Sequence, residues 1–282
     1  MINLLEIKKL EEIEDRYDVF LIDLWGVIHN GIELFQHVEH TLNRLKEKKK
    51  MIIFVTNAPR RSYVIEEQLQ NFGLNKSYYD FVSSSGEITW LNVREKFMNK
   101  NCYLIGPPRD YHLIEGLNLN LIDNHLSSDV DIIINTGPWG DLDCLENYTD
   151  ILENLVRFDP IMICSNPDKT VIRGKNFMIC AGLLAEFYEK IGGRVEYYGK
   201  PHNQIYQFCY KKIKKKNPKI LIIGDSLDND IKGANLQKID SLLITDGIHR
   251  EVNKNNKIDK EKLDDLIKKK NVIPNFYMKQ LN

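Results

Sequence analysis

Residues 19–31 read VFLIDLWGVIHNG, and this stretch decides how the chain folds. It opens with four apolar residues and then places a carboxylate, Asp23, directly after them. A short apolar run that ends at a polar residue is typical of a strand buried on both faces of a parallel sheet. MIIFVTN at 51–57 and KILIIGD at 219–225 repeat the pattern. We therefore predict three buried strands of a parallel sheet.

The segments around these runs have helical periodicity. Between the first two strands, residues 32–50 place Leu34, Val38, Leu42 and Leu45 at helical spacing, so the unit is predicted to be strand, helix, strand. RRSYVIEEQLQNFGL at 60–74 predicts a second helix closed by a glycine, and YDFVSSS at 79–85 a further strand. The alternation predicts an α/β fold with a doubly wound parallel sheet.

A second α/β region interrupts this pattern. NCYLIG at 101–106, DIIINTG at 131–137 and PIMICSN at 160–166 are strand candidates with helix-like stretches between them. From about 186 the core pattern is predicted to resume, with VEYYGKP at 195–201 as its first strand. We predict a core formed by residues 1–87 and 186–282, with an inserted α/β domain at 88–185.

Composition excludes several kinds of partner. Lys and Arg total 39 against 40 for Asp and Glu, so nothing favours a nucleic acid or an acidic membrane surface. The apolar runs are far shorter than the roughly 20 residues that span a bilayer, and charges interrupt the N-terminal segment. Five widely spaced cysteines without a CxxC pattern are predicted to be reduced and mostly buried. We expect a cytoplasmic protein that binds a small ligand.

Polar residues whose side chains could take part in catalysis or ligand binding follow the predicted strands. Ligands of open parallel sheets collect at the carboxyl ends of the strands. A carboxylate, a hydroxyl, a lysine and an acidic group for a hard cation are the parts that phosphoryl transfer needs. Each residue alone also has an ordinary structural explanation as a cap, a turn former or a surface charge. The candidates are Asp23, Thr56, Asn57, Lys200, Asp225 and Asp230.

The order of these segments is informative. DLWGV at 23–27, VTN at 55–57, GKP at 199–201 and GDSLDND at 224–230 resemble the four motifs of the haloacid dehalogenase-like hydrolase superfamily. The insertion between the second and third motifs looks like the type IIA cap of the nitrophenylphosphatase and nucleotide-phosphatase branch. SNPDKTVIRG at 165–174 and EKIGGRVEYYGKPH at 189–202 are also similar to that branch.

This resemblance implies roles for the candidates. Asp23 would attack phosphorus, and Thr56 would bind the phosphoryl oxygens with help from the backbone of Asn57. Lys200 would neutralise the nucleophile and the phosphate. Arg173 lies where the resemblance places a cap loop, and it could pair with a second anionic group of the substrate or be a plain surface arginine.

The resemblance also implies a magnesium site. Asp23 and Asp225 would be ligands, Asp230 would support the metal directly or through water, and Trp25 would contribute its backbone carbonyl. Asp228 is interpreted as the cap of a helix that begins near Asn229, with metal ligation as the alternative.

One position departs from the family pattern. Phosphatases of this superfamily usually carry a second aspartate two residues after the nucleophile, as the general acid and base, and here that position is Trp25. An indole exchanges no proton in this pH range, and general acid/base catalysis typically contributes about 10²–10⁴-fold. His29, a substrate phosphate or a residue of the cap could take over the role, and the sequence does not choose among them.

The leading hypothesis is a magnesium-dependent hydrolase of a small phosphomonoester that works through an aspartyl-phosphate on Asp23. The alternatives are a metal-independent hydrolase like the haloacid dehalogenases, and a catalytically weakened protein that binds a phosphorylated ligand. The resemblance also leaves a homodimer open, because type IIA relatives often dimerise through the cap.

Overall fold

A computed structural model of the protein describes residues 4–173, 176–255 and 257–282, with the backbone alone at 172, 173, 176 and 177. The helices are α1 Val38–Glu47, α2 Ser62–Asn71, α3 Ser85–Lys96, α4 Thr149–Leu155, α5 Ala181–Lys190, α6 Asn203–Lys212, α7 Lys232–Gln237 and α8 Lys260–Lys270. The strands are β1 Leu5–Glu6, β2 Val19–Ile22, β3 Met51–Thr56, β4 Phe81–Ser84, β5 Asn101–Ile105, β6 Asn120–Leu121, β7 Ile132–Asn135, β8 Ile161–Cys164, β9 Thr170–Arg173, β10 Asn176–Ile179, β11 Arg194–Tyr197, β12 Ile220–Gly224, β13 Asp240–Ile244, β14 Asn253–Lys254, β15 Lys257–Ile258 and β16 Phe276–Met278.

The described residues divide into two compact units. The first unit comprises Met1–Thr56, Ile65–Ser83 and Tyr206–Asn282, and the second comprises Asn57–Val64 and Ser84–Ile205. Whether residues 88–185 act as a cap and the remainder as a catalytic core stays a prediction.

A seven-stranded sheet forms the centre of the first unit, in the order β1-β16-β13-β12-β2-β3-β4. The pairs β2–β3, β2–β12, β12–β13 and β13–β16 are all parallel. The apolar runs at 19–23, 51–57 and 219–225 are thus confirmed as buried strands. This parallel α/β sheet confirms the predicted fold class.

The strand order places a topological switch point between β2 and β12. From β2 the chain continues through β3 to β4 on one side, whereas from β12 it continues through β13 to β16 on the other. Ile22 of β2 is in register with Ile223 of β12, and the N–H of Asp23 donates to the carbonyl of Ile223 at 2.8 Å. Such a switch point leaves a crevice at the carboxyl ends of the two strands, where ligands bind in open α/β sheets.

The second unit has its own parallel sheet, in the order β11-β8-β7-β5-β6. One strand prediction is wrong here. VEYYGKP was expected in the core sheet, but β11 pairs with β8 in the five-stranded sheet. Helix α5 packs on that sheet, with Leu184 in the same core cluster as Met162, and it ends at the turn of Gly192. A strand that follows such a crossover helix pairs in parallel with the sheet on which the helix packs.

The first helix is shorter than its apolar spacing predicted. Leu34 lies outside α1 and forms an isolated bridge with His29. The side-chain oxygen of Asn30 accepts hydrogen bonds from the backbone N–H groups of Ile32 and Glu33, both at 2.9 Å, and so forms a turn. A side chain that satisfies the backbone locally competes with helix formation, which explains the later start at Val38.

Among the described residues, no helix combines the length and the apolar character needed to cross a bilayer.

The cysteines are all free thiols, as predicted, and four of the five are buried. Burial raises the pKa of the Cys102 and Cys209 thiols to about 12 in each case, because it disfavours the thiolate. Cys144 is exposed. The thiolate is the reactive species, so exposure and pKa together determine which cysteine reacts.

We therefore expect native protein at pH 8 to react with Ellman's reagent at one cysteine, Cys144, and at the other four only after unfolding in guanidinium chloride. Cys144→Ser should abolish the fast phase, and Cys209→Ser should leave it unchanged. A fast phase that survives Cys144→Ser would show that one of the other thiols is reachable in the native state.

Candidate active site

Three carboxylates meet at the switch point of the first unit. Asp23 follows β2, and Asp225 and Asp230 follow β12. Each offers one oxygen, and these oxygens all lie within 4.8 Å of one another. All three residues are buried, with exposed fractions of 8%, 6% and 1%. The structure therefore brings together three of the residues that the sequence predicted for the metal site.

Backbone N–H groups hold two of these carboxylates in place. The Oδ2 atom of Asp225 accepts from the N–H of Ile248 at 2.8 Å, and the Oδ2 atom of Asp230 accepts from the N–H of Ser226 at 3.1 Å. Hydrogen bonds of this kind favour the ionised carboxylate. The site is therefore organised for negative charge.

Asp228 has neither of the roles considered for it. The side chain of Ser226 caps the helical turn at 227–231, where it accepts from the N–H of Asn229 at 3.2 Å. Asp228 is mostly exposed and forms an ion pair with Lys270, with the Nζ atom 2.6 Å from Oδ2. The capping interpretation of Asp228 is wrong because the hydroxyl of Ser226, three residues before Asn229, occupies the capping position.

Two glycines allow the backbone to approach the acidic cluster closely. A Cβ atom at Gly26 or at Gly247 would clash with the Oδ2 atom of Asp225. Gly26 also has a φ of +80°, which side chains rarely adopt. The sequence reasoning missed both positions. The position of Gly26 directly after the strand and Asp23 could have indicated a close approach of the backbone to the site. No feature of the neighbouring sequence indicates such a role for Gly247.

The donor set fits a divalent cation such as Mg²⁺. Carboxylate oxygens are the ligands that this ion prefers. Like charges buried so close together disfavour ionisation unless a cation lies between them. Asp23, Asp225 and Asp230 therefore have the chemistry and the spacing to hold one ion.

Trp25 is half-buried on the loop that follows Asp23. Its ring meets the imidazole of His29 edge-on, with 5.6 Å between the ring centroids, and a Cβ atom at Gly31 would clash with the indole. The Nδ1 atom of His29 accepts from the N–H of Gly31 at 3.0 Å, and its ring also contacts Phe72. His29 therefore has a structural role in this loop.

Thr56 is the last residue of β3, beside β2 in the first unit, and it is buried. Asn57 and Lys200 belong to the second unit, where they are in direct contact. The side-chain oxygen of Asn57 accepts from the backbone N–H of Lys200 at 2.7 Å. Its Nδ2 atom donates to the carbonyl of Lys200 at 3.0 Å and to Asp168 Oδ1 at 2.8 Å.

The predicted cap loop is a turn. The side chain of Asn166 accepts from the N–H of Asp168 at 3.0 Å, which is the arrangement of an Asx turn. Arg173 is the last residue of β9, and its side chain lies outside the part of the chain that is described. Its contact with an anionic group stays a prediction.

Comparison with known proteins gives a consistent result. A family model described as haloacid dehalogenase-like hydrolase matches residues 20–120, and a second, HAD-hydrolase-like, matches 197–272. The crystal structure of a hydrolase of the haloacid dehalogenase-like family from Brucella suis 1330 is similar with a TM-score of 0.84 and 31% identity, covering 98% of this chain and 100% of that chain.

Curated enzymes are also similar over nearly their whole length. Phosphoglycolate phosphatase 2 of Arabidopsis thaliana is 26% identical over 290 residues, which cover 91% of this chain and 93% of that protein. The 4-nitrophenylphosphatase of Schizosaccharomyces pombe is 24% identical over 296 residues, which cover 97% and 95%.

The parallel sheet, the carboxylates at its switch point and the matched models define this protein as an enzyme of the hydrolase class. The chain belongs to the haloacid dehalogenase-like hydrolase family, and nitrophenylphosphatases are among the enzymes to which it is similar. The resemblance inferred from the four sequence motifs is thus confirmed, while the consequence of Trp25 stays a prediction.

The close approach at Gly26 can be tested by comparing Gly26→Ala with Gly73→Ala. Both glycines have positive φ, at +80° and +94°, but a Cβ atom at Gly73 would meet nothing within 4 Å. We expect each variant to lose about 1–2 kcal/mol of unfolding free energy from the backbone strain. Only Gly26→Ala should also weaken Mg²⁺ binding, by about 10–100-fold, because it displaces Asp225.

Urea unfolding and isothermal titration with MgCl₂ measure the two effects separately. Equal Mg²⁺ affinity in the two variants would contradict the assignment of Asp225 to the metal site.

Proposed function

We propose that this protein hydrolyses small phosphomonoesters through an aspartyl-phosphate on Asp23, with Mg²⁺ bound at the acidic cluster. One observation carries the proposal: Asp23, Asp225 and Asp230 are buried at the switch point with their oxygens within 4.8 Å of one another. The names of the phosphatases to which the chain is similar support the same reaction.

The chemistry takes two displacements at phosphorus. A carboxylate oxygen of Asp23 attacks phosphorus, and the bond from phosphorus to the ester oxygen breaks, so that the alcohol leaves with the bonding electron pair and takes up a proton. Water then attacks the phosphorus of the aspartyl-phosphate, loses a proton, and releases inorganic phosphate and the free carboxylate. A covalent intermediate divides one difficult step into two easier ones.

Other residues of the chain are proposed to bind the phosphoryl group. The hydroxyl of Thr56 is assigned to its oxygens, with the backbone of Asn57 as a further donor. Lys200 is assigned to its negative charge, because a buried ammonium interacts more strongly with a phosphate than an exposed one does. Arg173 is assigned to a second anionic group of the substrate.

Magnesium would be held by Asp23, Asp225 and Asp230, with the backbone carbonyl of Trp25 as a further ligand. When bound, it would supply positive charge for the phosphoryl oxygens and for the nucleophile. The chain's own contribution is to hold the carboxylates of Asp225 and Asp230 in place through the N–H groups of Ile248 and Ser226.

Trp25 is expected to slow the departure of the alcohol in the proposed reaction. It stands where phosphatases of the family usually carry the general acid, and its indole cannot supply the proton that the leaving group needs. This observation favours a second candidate function, in which the protein captures a phosphorylated ligand and turns it over slowly. A metal-independent reaction like that of the dehalogenases is disfavoured, because three carboxylates buried so close together favour a bound cation.

Further predictions belong to the same proposal. Residues 88–185 are proposed to form the type IIA cap, on the strength of the resemblance. A cytoplasmic location is supported by the five free thiols, which persist in reducing compartments. A homodimer stays a prediction from the resemblance alone.

The hydrolase proposal is tested with purified protein and a panel of p-nitrophenyl phosphate, phosphoglycolate, sugar phosphates and nucleoside monophosphates, with MgCl₂ or with EDTA. We expect phosphate release that depends on magnesium and is absent in Asp23→Asn, which keeps the size of the side chain but not the nucleophilic carboxylate. If wild type is no faster than Asp23→Asn on every substrate, hydrolysis is not the function. Activity that survives EDTA would favour the metal-independent alternative.

The role of Trp25 is tested by comparing Trp25→Asp with Trp25→Asn. The two replacements have the same size and leave the same space beside Gly31, but only aspartate can transfer a proton. We expect Trp25→Asp to exceed Trp25→Asn in kcat for a poor leaving group such as a sugar phosphate, by up to about 10²–10⁴-fold. Equal kcat in the two variants would mean that another group already supplies the proton.

A further inference from the structure

The side chain of Asn57 bonds to both backbone groups of one residue, Lys200. Its oxygen accepts from the Lys200 N–H at 2.7 Å, and its Nδ2 atom donates to the Lys200 carbonyl at 3.0 Å. Lys200 is thus bonded through both its N–H and its carbonyl, as a residue of a hydrogen-bonded pair in an antiparallel sheet is. The two bonds hold the peptide groups on both sides of Lys200. Asn57 and Lys200 are both buried, so water does not compete for these bonds.

A third bond supports the same orientation of the Asn57 amide. Its Nδ2 atom donates to Asp168 Oδ1 at 2.8 Å, and a carboxylate can only accept. The N–H of Lys200 can only donate, so it needs the oxygen of Asn57 on the other side. The flipped amide would lose all three bonds, and Asp168 therefore reinforces the orientation in which Asn57 holds Lys200.

Gly199 and the turn at 166–168 pack closely against the contact between Asn57 and Lys200. Gly199 has a φ of +128°, and a Cβ atom there would lie 2.7 Å from the Asn57 oxygen and 2.8 Å from Pro167 Cδ. Only glycine therefore lets residue 199 pass between Asn57 and the Pro167 turn. Asp168 is itself anchored, because its N–H donates to Asn166 and its carbonyl accepts from Gly182 N–H at 3.0 Å.

We propose that Asp168 and Asn57 act as a pair of positioning residues that hold the backbone of Lys200, and through it the ammonium group, in the place where the reaction needs positive charge. This inference rests on the proposed function of Lys200 in phosphoryl transfer. It gives the Asn57 side chain a role distinct from the backbone contact with phosphate, and it assigns a role to Asp168. A long lysine side chain has many rotamers, so a mobile backbone would leave its charge poorly placed.

The sharpest test is an exchange of the two side chains. Asn57→Asp puts a carboxylate opposite Asp168 and cannot donate to the carbonyl of Lys200. In Asn57→Asp/Asp168→Asn the amide lies on the other side, and residue 168 can again donate to residue 57. In Asp168→Asn alone, the side-chain oxygen of residue 168 can still accept the hydrogen bond from the Nδ2 atom of Asn57. The matched control is Asn135→Ala, which removes another buried asparagine of the second unit, hydrogen-bonded to Ala181 O at 3.0 Å.

The first measurement does not depend on activity. Lysines are reductively methylated in the folded protein, and mass spectrometry compares the modification rate of Lys200 with that of Lys215, whose side chain is 59% exposed. We expect Lys200 to react slowly in wild type and in Asn135→Ala. It should react about tenfold faster in Asn57→Asp and return toward the wild-type rate in the double variant. Asn57→Ala, which removes all three hydrogen bonds of the Asn57 side chain, should also react faster than wild type. Equal methylation rates of Lys200 in wild type, Asn57→Asp and Asn57→Ala would overturn the proposal.

The second measurement is kcat and KM for p-nitrophenyl phosphate with MgCl₂. Asn57→Asp should lower kcat by about 10–100-fold with a smaller effect on KM, and the double variant should recover about tenfold. If the fold-losses of kcat in the two single variants simply multiply in the double variant, without recovery, the proposed pairing of Asn57 with Asp168 is wrong. A general loss of stability is distinguished by Asn135→Ala, which should lower the Tm while kcat is retained.

The two measurements separate this inference from the proposed function. If wild type does not exceed Asp23→Asn on any substrate, hydrolysis fails, and the methylation rates still decide whether Asn57 and Asp168 hold Lys200. Faster methylation in Asn57→Asp with unchanged kcat would overturn the link to catalysis.

Discussion

Mutual repulsion among three buried carboxylates is the constraint on which the catalytic part of this molecule depends. Two unit charges about 4 Å apart repel by about 4 kcal/mol at the effective dielectric constant of a protein surface region. One hydrogen bond to a charged group offsets only about 1.5–3 kcal/mol. Three carboxylates form three such pairs, which repel by about 12 kcal/mol together. The two N–H groups that contact Asp225 and Asp230 therefore compensate only part of the repulsion, and a cation is the simplest source of the remainder.

This constraint accounts for the form of the loops at the switch point. The loop after β2 contains Gly26 and the loop after β13 contains Gly247, and both come so close to Asp225 that neither position has room for a side chain. Trp25 and His29 then pack edge to face over the first of these loops. The two glycines thus let both loops pack directly against the side chain of Asp225.

In the second unit, hydrogen bonds to Asn57 hold the backbone around Lys200. The carboxyl end of β11 leads directly to Gly199 and Lys200, and the turn after β8 brings Asp168 to the same edge of the five-stranded sheet. Asn57 connects them with three hydrogen bonds that its amide can satisfy in only one orientation. A buried amide that makes three hydrogen bonds specifies one local conformation of the backbone at Lys200.

The buried strands and the residues that follow them could be predicted from the amino-acid sequence alone. Strands buried on both faces require continuous apolar runs, so the end of each run marks a carboxyl end and made Asp23 and Asp225 predictable. The sheet that the strand in VEYYGKP joins is known only from the folded chain, because the residues of a strand do not reveal its partner strand. The close packing at Gly26 and the bond from Asn57 to Asp168 were also beyond the sequence. They join residues that are far apart along the chain, and only the folded backbone brings such residues within hydrogen-bonding or van der Waals distance.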